Sequence, residues 1–355
     1  MKKIKVLIVD DSALVRQILN QIFSEDEEIE VIGTAIDPIF AMQKIMRDPP
    51  DVITLDVEMP RMDGLTFLQK IMQSYPTPTV MISSWTKKGC ETTLKALELG
   101  AVDFITKPDR SIMGTLSSLN HEIIAKVKNA AKVNLRNVGK GAKREKAEVN
   151  INITPDTFSQ EAKIPSGKGH KIIALGASTG GVVAVRTVID RLTLGGYSVL
   201  VALHMPPGFT ASFAERLGSV GGWSSCEALE GLRVVPNTIY VAPGGQNMTL
   251  EKRNGALFIR VRPCETTDIF KPNINKTFAS VARAAGSEAV GVIMTGMGDD
   301  GAKGLYLMKQ AGAVTIAQSQ ETCMVYGMPK KAIEAGAVDH IIPLDRIGSK
   351  LMQLV

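Results

Sequence analysis

Short β-rich runs that alternate with helix-length segments, in both halves of the chain, constrain its fold more than any other feature. In the first half Lys5–Val9, Val31–Ala35, Val52–Leu55, Thr79–Ile82 and Val102–Ile105 are apolar runs of strand length, separated by enough residues for a helix. Five β-α units predict a parallel, doubly wound α/β sheet. In the second half Lys171–Leu175, Ser198–Ala202, Ala289–Met294 and Ala313–Ala317 repeat the pattern, and a hairpin-like insert around Ile239–Arg262 predicts an antiparallel edge. A length of 355 residues, 45% of them apolar, is enough for two domains with cores of their own. From about Gly139 to Gly169 the apolar periodicity lapses, and Gly, Lys, Asn, Pro and Ser dominate. The expected division is therefore 1–125 for the first domain, 126–168 for a basic helix end and linker, and 169–355 for the second domain.

The formal charge of +5 is local. Lys126, Lys128, Lys132, Arg136, Lys140, Lys143, Arg144 and Lys146 face only Glu145 within one stretch, and the rest of the chain is slightly acidic. A basic segment between two apolar-patterned halves reads as a solvated helix end and linker, and no helix-turn-helix or zinc-finger pattern accompanies it, so nucleic acid is not an expected partner. Four cysteines (Cys90, Cys226, Cys264, Cys323) stand far apart with no C-x-x-C pair, which fits a reducing cytoplasm better than a disulfide framework. Asp10 and Asp11 interrupt the N-terminal apolar run, with no small-residue cleavage site after it. No stretch reaches the roughly 18 apolar residues of a membrane span, so no membrane insertion is expected.

In doubly wound sheets functional groups gather beyond the carboxyl ends of the strands. Asp10 and Asp11 follow the first predicted strand, Asp56 the third, Ser83 the fourth and Lys107 the fifth. Converging carboxylates repel one another unless a hard cation sits among them, and an oxygen-only set suits Mg²⁺. Asp56, in the central position, is the candidate nucleophile toward phosphorus, with Ser83 and Lys107 placed to bind the transferred phosphoryl group. Asp11, directly before Ser12, also reads as a helix N-cap, which would account for one acid but not for the joint placement. Val9-Asp-Asp-Ser12, Leu55-Asp-Val-Glu-Met-Pro60, Met62-Asp-Gly64, Ser83-Ser84 and Lys107-Pro108 resemble the receiver domain of two-component response regulators, over roughly residues 3–125. That resemblance implies a flavodoxin-type strand order and phosphorylation of Asp56 by a histidine kinase. It also implies Mg²⁺ held by Asp10, Asp11, Asp56 and the Glu58 backbone carbonyl, and an aromatic switch at Phe104.

The second half opens with a strand, then Gly176-Ala-Ser-Thr-Gly-Gly181, then a helix. This fits G-x-S-x-G, in which small neighbours permit a tight strand-to-helix turn that presents Ser178; a Gly-rich turn with a serine cap fits equally well. A serine nucleophile needs a base, and of the four histidines His204 follows a strand and precedes Met205-Pro-Pro-Gly208, while His340 stands before its strand. The acid should follow another strand, and Val290–Thr295 leads into Gly296-Met-Gly-Asp-Asp-Gly301. The same residues spell G-x-G-x-x-G, but carboxylates at Asp299 and Asp300, where a pyrophosphate would meet the helix, argue against a dinucleotide site. The favoured triad is Ser178, His204 and Asp300, over one that uses His340. Backbone N–H groups near Thr179 and Met297 are the candidate oxyanion donors.

Gly176–Gly181, His204-Met-Pro-Pro-Gly-Phe-Thr210, Tyr240-Val-Ala-Pro-Gly244 and Thr295–Gly301 resemble, together with the receiver half, the chemotaxis response-regulator protein-glutamate methylesterase (CheB) family. The resemblance covers nearly all of the chain outside the linker, and the family's serine, histidine and aspartate fall on Ser178, His204 and Asp300. It implies a Rossmann-like esterase domain that hydrolyses glutamate γ-methyl esters on chemoreceptors, releases methanol and also deamidates receptor glutamines, with no cofactor for the esterase step. It further implies that phosphorylation of Asp56 activates the esterase.

Overall fold

The computed structural model describes residues 2–84, 86–107, 116–133, 135, 170–219 and 221–355. The chain divides into two compact units, Met1–Gly139 and Lys140–Val355.

The first unit runs β1 (Ile4–Val9), α1 (Ala13–Ser24), β2 (Ile29–Ala35), α2 (Pro38–Arg47), β3 (Val52–Asp56), α3 (Gly64–Ser74), β4 (Thr79–Ser83), α4 (Lys87–Glu98), β5 (Asp103–Thr106) and α5 (Leu116–Ala130). Its five strands pair in the parallel order β2-β1-β3-β4-β5. This is the flavodoxin-type order, with its reversal between β1 and β3. Helices cover both faces, so β3 and β4 are buried along their whole length, the reason they read as unbroken apolar runs. Asp37 caps α2 and accepts from Ile39 and Phe40 N–H, with Pro38 at the first helical position. The cap of α1 is Ser12, not Asp11. Asp11 therefore has no capping duty, and Asp10 Oδ1 accepts the Ser12 N–H at 2.8 Å.

The expected boundary at 125 falls inside α5, which continues to Ala130 because Ile123, Val127 and Ala130 are buried. Lys126 Nζ lies 5.1 Å from the centroid of the buried Phe104 ring, donates to Phe104 O and pairs with Asp103 and Glu122. Lys128 pairs with Asp26 and Glu28. The first two cations of the basic stretch thus belong to the fold of this unit. Arg136–Lys146, and the rest of the expected linker to Gly169, lie outside the described residues.

The second unit runs β6 (Ile172–Ala177), α6 (Gly181–Ile189), β7 (Ser198–Leu203), α7 (Phe209–Gly218), β8 (Ser224–Glu227), β9 (Thr238–Val241), β10 (Gln246–Arg253), β11 (Ala256–Pro263), α8 (Ile274–Ala285), β12 (Ala289–Ile293), α9 (Ala302–Gln310), β13 (Val314–Gln318), α10 (Met328–Glu334), β14 (His340–Ile342) and α11 (Leu344–Leu354). Seven strands form one sheet in the order β14-β13-β12-β6-β7-β9-β8, every pair parallel. The antiparallel element is a separate two-stranded sheet of β10 and β11 rather than an edge of the large one. β9, the start of the predicted insert, joins the main sheet, where Val201 opposes Val241. The hairpin packs on α8, with Leu250 N–H donating to Ser280 Oγ and Thr277 Oγ1 to Met248 O. The strand order reverses beside β6: α6 leads to β7 on one side, and β12 returns on the other. Such a switch point opens a crevice at the carboxyl ends of the strands.

Candidate active site

In the first unit, Asp10 leaves β1, Asp56 ends β3, Ser83 ends β4 and Lys107 follows β5. Asp10, Asp11 and Asp56 each offer an oxygen, all within 4.8 Å of one another. Asp10 and Asp56 are buried and Asp11 is exposed. Burial, reinforced by the Asp56 charge, pushes the Asp10 carboxyl up to about 6, against the pull of Lys107. Burial also raises Asp56, although Lys107 Nζ lies 2.8 Å from its Oδ2. Asp10 Oδ2 is buried without a hydrogen bond, with Lys107 Nζ 3.8 Å away. Two desolvated carboxylates, an orphaned oxygen and one open side fit a hard divalent cation. Glu58 N–H donates to Asp56 Oδ1, and its exposed residue stands beside the cluster. The Ser83 hydroxyl, fully buried, accepts from Thr93 Oγ1 at 2.6 Å. Phe104 is buried on β5.

In the second unit, Ser178 follows β6 and is half-buried. Its N–H donates to Thr295 O at the end of β12, and His204 N–H donates to Ala177 O, so the serine lies between the ends of β7 and β12. The left-handed backbone of the turn falls on Gly180, at φ +77°, and not on the serine. An added Cβ at Gly296 would come within 2.7 Å of Ser178 Cβ, so only glycine lets the β12 loop reach the serine.

His204 Nε2 lies 2.8 Å from Asp300 Oδ2. Asp300 is buried, while Asp299 beside it is exposed. Ile274 N–H donates to Asp300 Oδ2 at 2.8 Å, and Asn275 and Gly301 N–H to Oδ1, each at 3.0 Å. The carboxylate therefore sits on the N-terminus of α8, where orphan N–H groups and the helix dipole favour an anion. Among the described residues no hydrogen bond joins Ser178 Oγ to the imidazole, and His204 Nδ1 makes none.

Thr179 is buried after the serine and Met297 is exposed after Gly296, so the two oxyanion candidates flank Ser178 from different loops. His340 opens β14, at the amino end of the edge strand and far from the strand ends that carry Ser178 and Asp300. Sequence reasoning missed three supports. Thr295 Oγ1 bridges Thr179 O and Val325, Asn273 caps α8, and the Phe270 ring stacks on His204. Asn before a helical pattern signals a cap; nothing local announces the other two.

A flavodoxin-like domain with an acidic strand-end cluster, followed by a parallel-sheet domain with Ser, His and Asp at its switch point, defines a receiver joined to a hydrolase. The chain belongs to the CheB methylesterase family: residues 173–351 match the family model for CheB methylesterase, and residues 6–114 match the response regulator receiver domain. It is 47% identical over 97% of its length to protein-glutamate methylesterase/protein-glutamine glutaminase 2 of Hahella chejuensis, covering 94% of that protein. It is 44% identical over 99% of its length to the protein-glutamate methylesterase/protein-glutamine glutaminase of Escherichia coli, covering 97% of it. The crystal structure of the Thermotoga maritima CheB methylesterase catalytic domain matches 53% of this chain and all of that one, at 37% identity and a TM-score of 0.50. Among the described residues no helix is long and apolar enough to cross a membrane.

Proposed function

We propose that this chain is a phosphorylation-activated serine esterase that hydrolyses glutamate γ-methyl esters on chemoreceptor cytoplasmic domains and deamidates glutamines there. The observation that carries the reading is the His204–Asp300 contact beside Ser178 at the sheet's switch point, in a chain of this family. His204 Nδ1 takes the Ser178 proton as Oγ attacks the ester carbonyl, and Asp300 holds the ring and stabilises the imidazolium. N–H groups at Thr179 and Met297 stabilise the oxyanion. The imidazolium returns its proton to the departing methoxide, which leaves as methanol, or to the departing amide nitrogen, which leaves as ammonia. Water activated by His204 then releases the γ-carboxylate and restores Ser178.

Asp56 is the phosphoacceptor, and a histidine kinase of the chemotaxis pathway is its donor. Asp10, Asp11, Asp56 and the Glu58 carbonyl would hold Mg²⁺, which when bound neutralises phosphoryl oxygens. Lys107 pairs with the phosphoryl group and Ser83 hydrogen-bonds it, with Phe104 as the aromatic switch. The esterase step needs no cofactor, and these roles place the protein in the cytoplasm. The test is incubation with methyl-labelled receptor membranes, with and without a phosphodonor, while volatile methanol is followed. Methanol release should rise with the phosphodonor and vanish in Ser178→Ala; release by Ser178→Ala would refute the reading.

A further inference from the structure

Phe270 lies nearly face to face with the His204 imidazole, ring centroids 4.8 Å apart and planes 6° apart. A half-turn of the imidazole about Cβ–Cγ would put Cε1 where Nε2 lies and Cδ2 where Nδ1 lies, and a flat ring stacked on it resists that turn because the imidazole must leave its plane. Nε2 is committed to Asp300, which leaves Nδ1 for the serine.

Burial does not hold Phe270 in place, because it is only half-buried and its neighbour Ile269 is 87% exposed. A polar cluster anchors the loop instead. Asp268, buried, accepts from Asn247 Nδ2 at 2.8 Å, from Glu265 N–H at 2.9 Å and from Lys276 Nζ at 3.0 Å. Asn273 Nδ2 reaches the other Asp268 oxygen at 3.3 Å, and Asn273 N–H donates to Asn247 Oδ1. The chain is thus tied two residues before Phe270 and three after it. Asn273 also caps α8, whose first two N–H groups hold Asp300. One helix N-terminus therefore organises both the carboxylate and the loop that carries the ring. Gly298, at φ +86°, lies against the tip of the Phe270 ring, and a Cβ there would come 3.0 Å from Cζ.

We propose that Phe270 is a positioning residue for the esterase reaction, its ring clamping the His204 imidazole so that Nε2 stays on Asp300 and Nδ1 stays available to Ser178. The inference rests on the serine-esterase reading above. Phe270 acts through His204, so its loss lowers kcat and leaves KM for receptor membranes unchanged.

The experiment compares full-length Phe270→Ala, Phe270→Leu and Phe270→Tyr on methyl-labelled receptor membranes. The alanine and leucine variants should lose about tenfold to hundredfold in kcat, the scale of a misplaced catalytic group. Tyrosine, which keeps the flat ring, should restore kcat to near the wild-type value. Nitrogen-15 spectra of the His204 ring, assigned with His204→Gln, should show the Nε2–H tautomer in the wild type and a mixture in Phe270→Ala. Wild-type kcat in Phe270→Ala, equal losses in the tyrosine and alanine variants, or an unchanged tautomer would each overturn the clamp. Ser178→Ala runs alongside: turnover there removes the esterase reading and this inference with it, whereas an inactive Ser178→Ala beside a fully active Phe270→Ala removes the clamp alone.

Discussion

At the Asp300 carboxylate three backbone N–H groups and one imidazole meet, so its acceptor sites are filled by donors that cannot turn away. Asparagine there would present an NH₂ group to donors and would favour the wrong imidazole tautomer. Asp300→Asn should therefore lower kcat by about 10³–10⁴-fold and also lower the melting temperature; kinetics and thermal unfolding of one preparation check both. His204→Ala should abolish methanol release, whereas His340→Ala, changed at the amino end of an edge strand, should keep it, and activity that survives the first would remove His204 from its role. The sequence favoured Asp300 over its neighbour Asp299, and burial of Asp300 beside an exposed Asp299 agrees with that choice; the burial depends on the first turn of α8, which begins 26 residues upstream of the acid.

At the scale of elements, β6 and β7 share a polar tie at their amino ends. His170 Nε2 lies 2.8 Å from Ser198 Oγ, which itself donates to Val235 O, so the serine oxygen accepts the imidazole N–H. Burial holds the His170 imidazole below its ordinary range. The folded state thus binds this proton less readily than the unfolded chain, whose imidazole titrates near 6.5. Stability from this site is complete above that pH and declines as pH falls through it toward the lower folded value. Thermal melts of the full chain at pH 7.5 and 5.5 should show this loss, and His170→Gln, which keeps a donor but does not titrate, should narrow the difference. The same scale decides α8: Asn273→Ala should cost about 1 kcal/mol of stability, as lost N-caps do, read by urea unfolding. Most strands were legible as apolar runs. The hairpin's separation from the main sheet was not, because strand periodicity does not say which edge a strand will join.

At the scale of the whole molecule, a receiver unit and a methylesterase unit share one chain. Asp56→Asn should keep basal methanol release and lose its response to a phosphodonor; retained stimulation would exclude Asp56 as the acceptor. If activation works by relief of inhibition by the first unit, residues 165–355 alone should release methanol faster than the unphosphorylated full chain, and a rate that never exceeds it would rule that out. The charge of +5 takes on a different meaning here, since Lys126 and Lys128 are spent on Asp103, Glu122, Asp26 and Glu28. Sequence by itself determined two parallel-sheet domains and the residues at their strand ends, because apolar periodicity and chain reversal are local properties. Only the tertiary structure decided that Asp300 meets His204, that Phe270 covers its ring and that Asp10 keeps an unsatisfied oxygen, because those contacts join segments far apart in sequence through burial and the N-terminus of one helix.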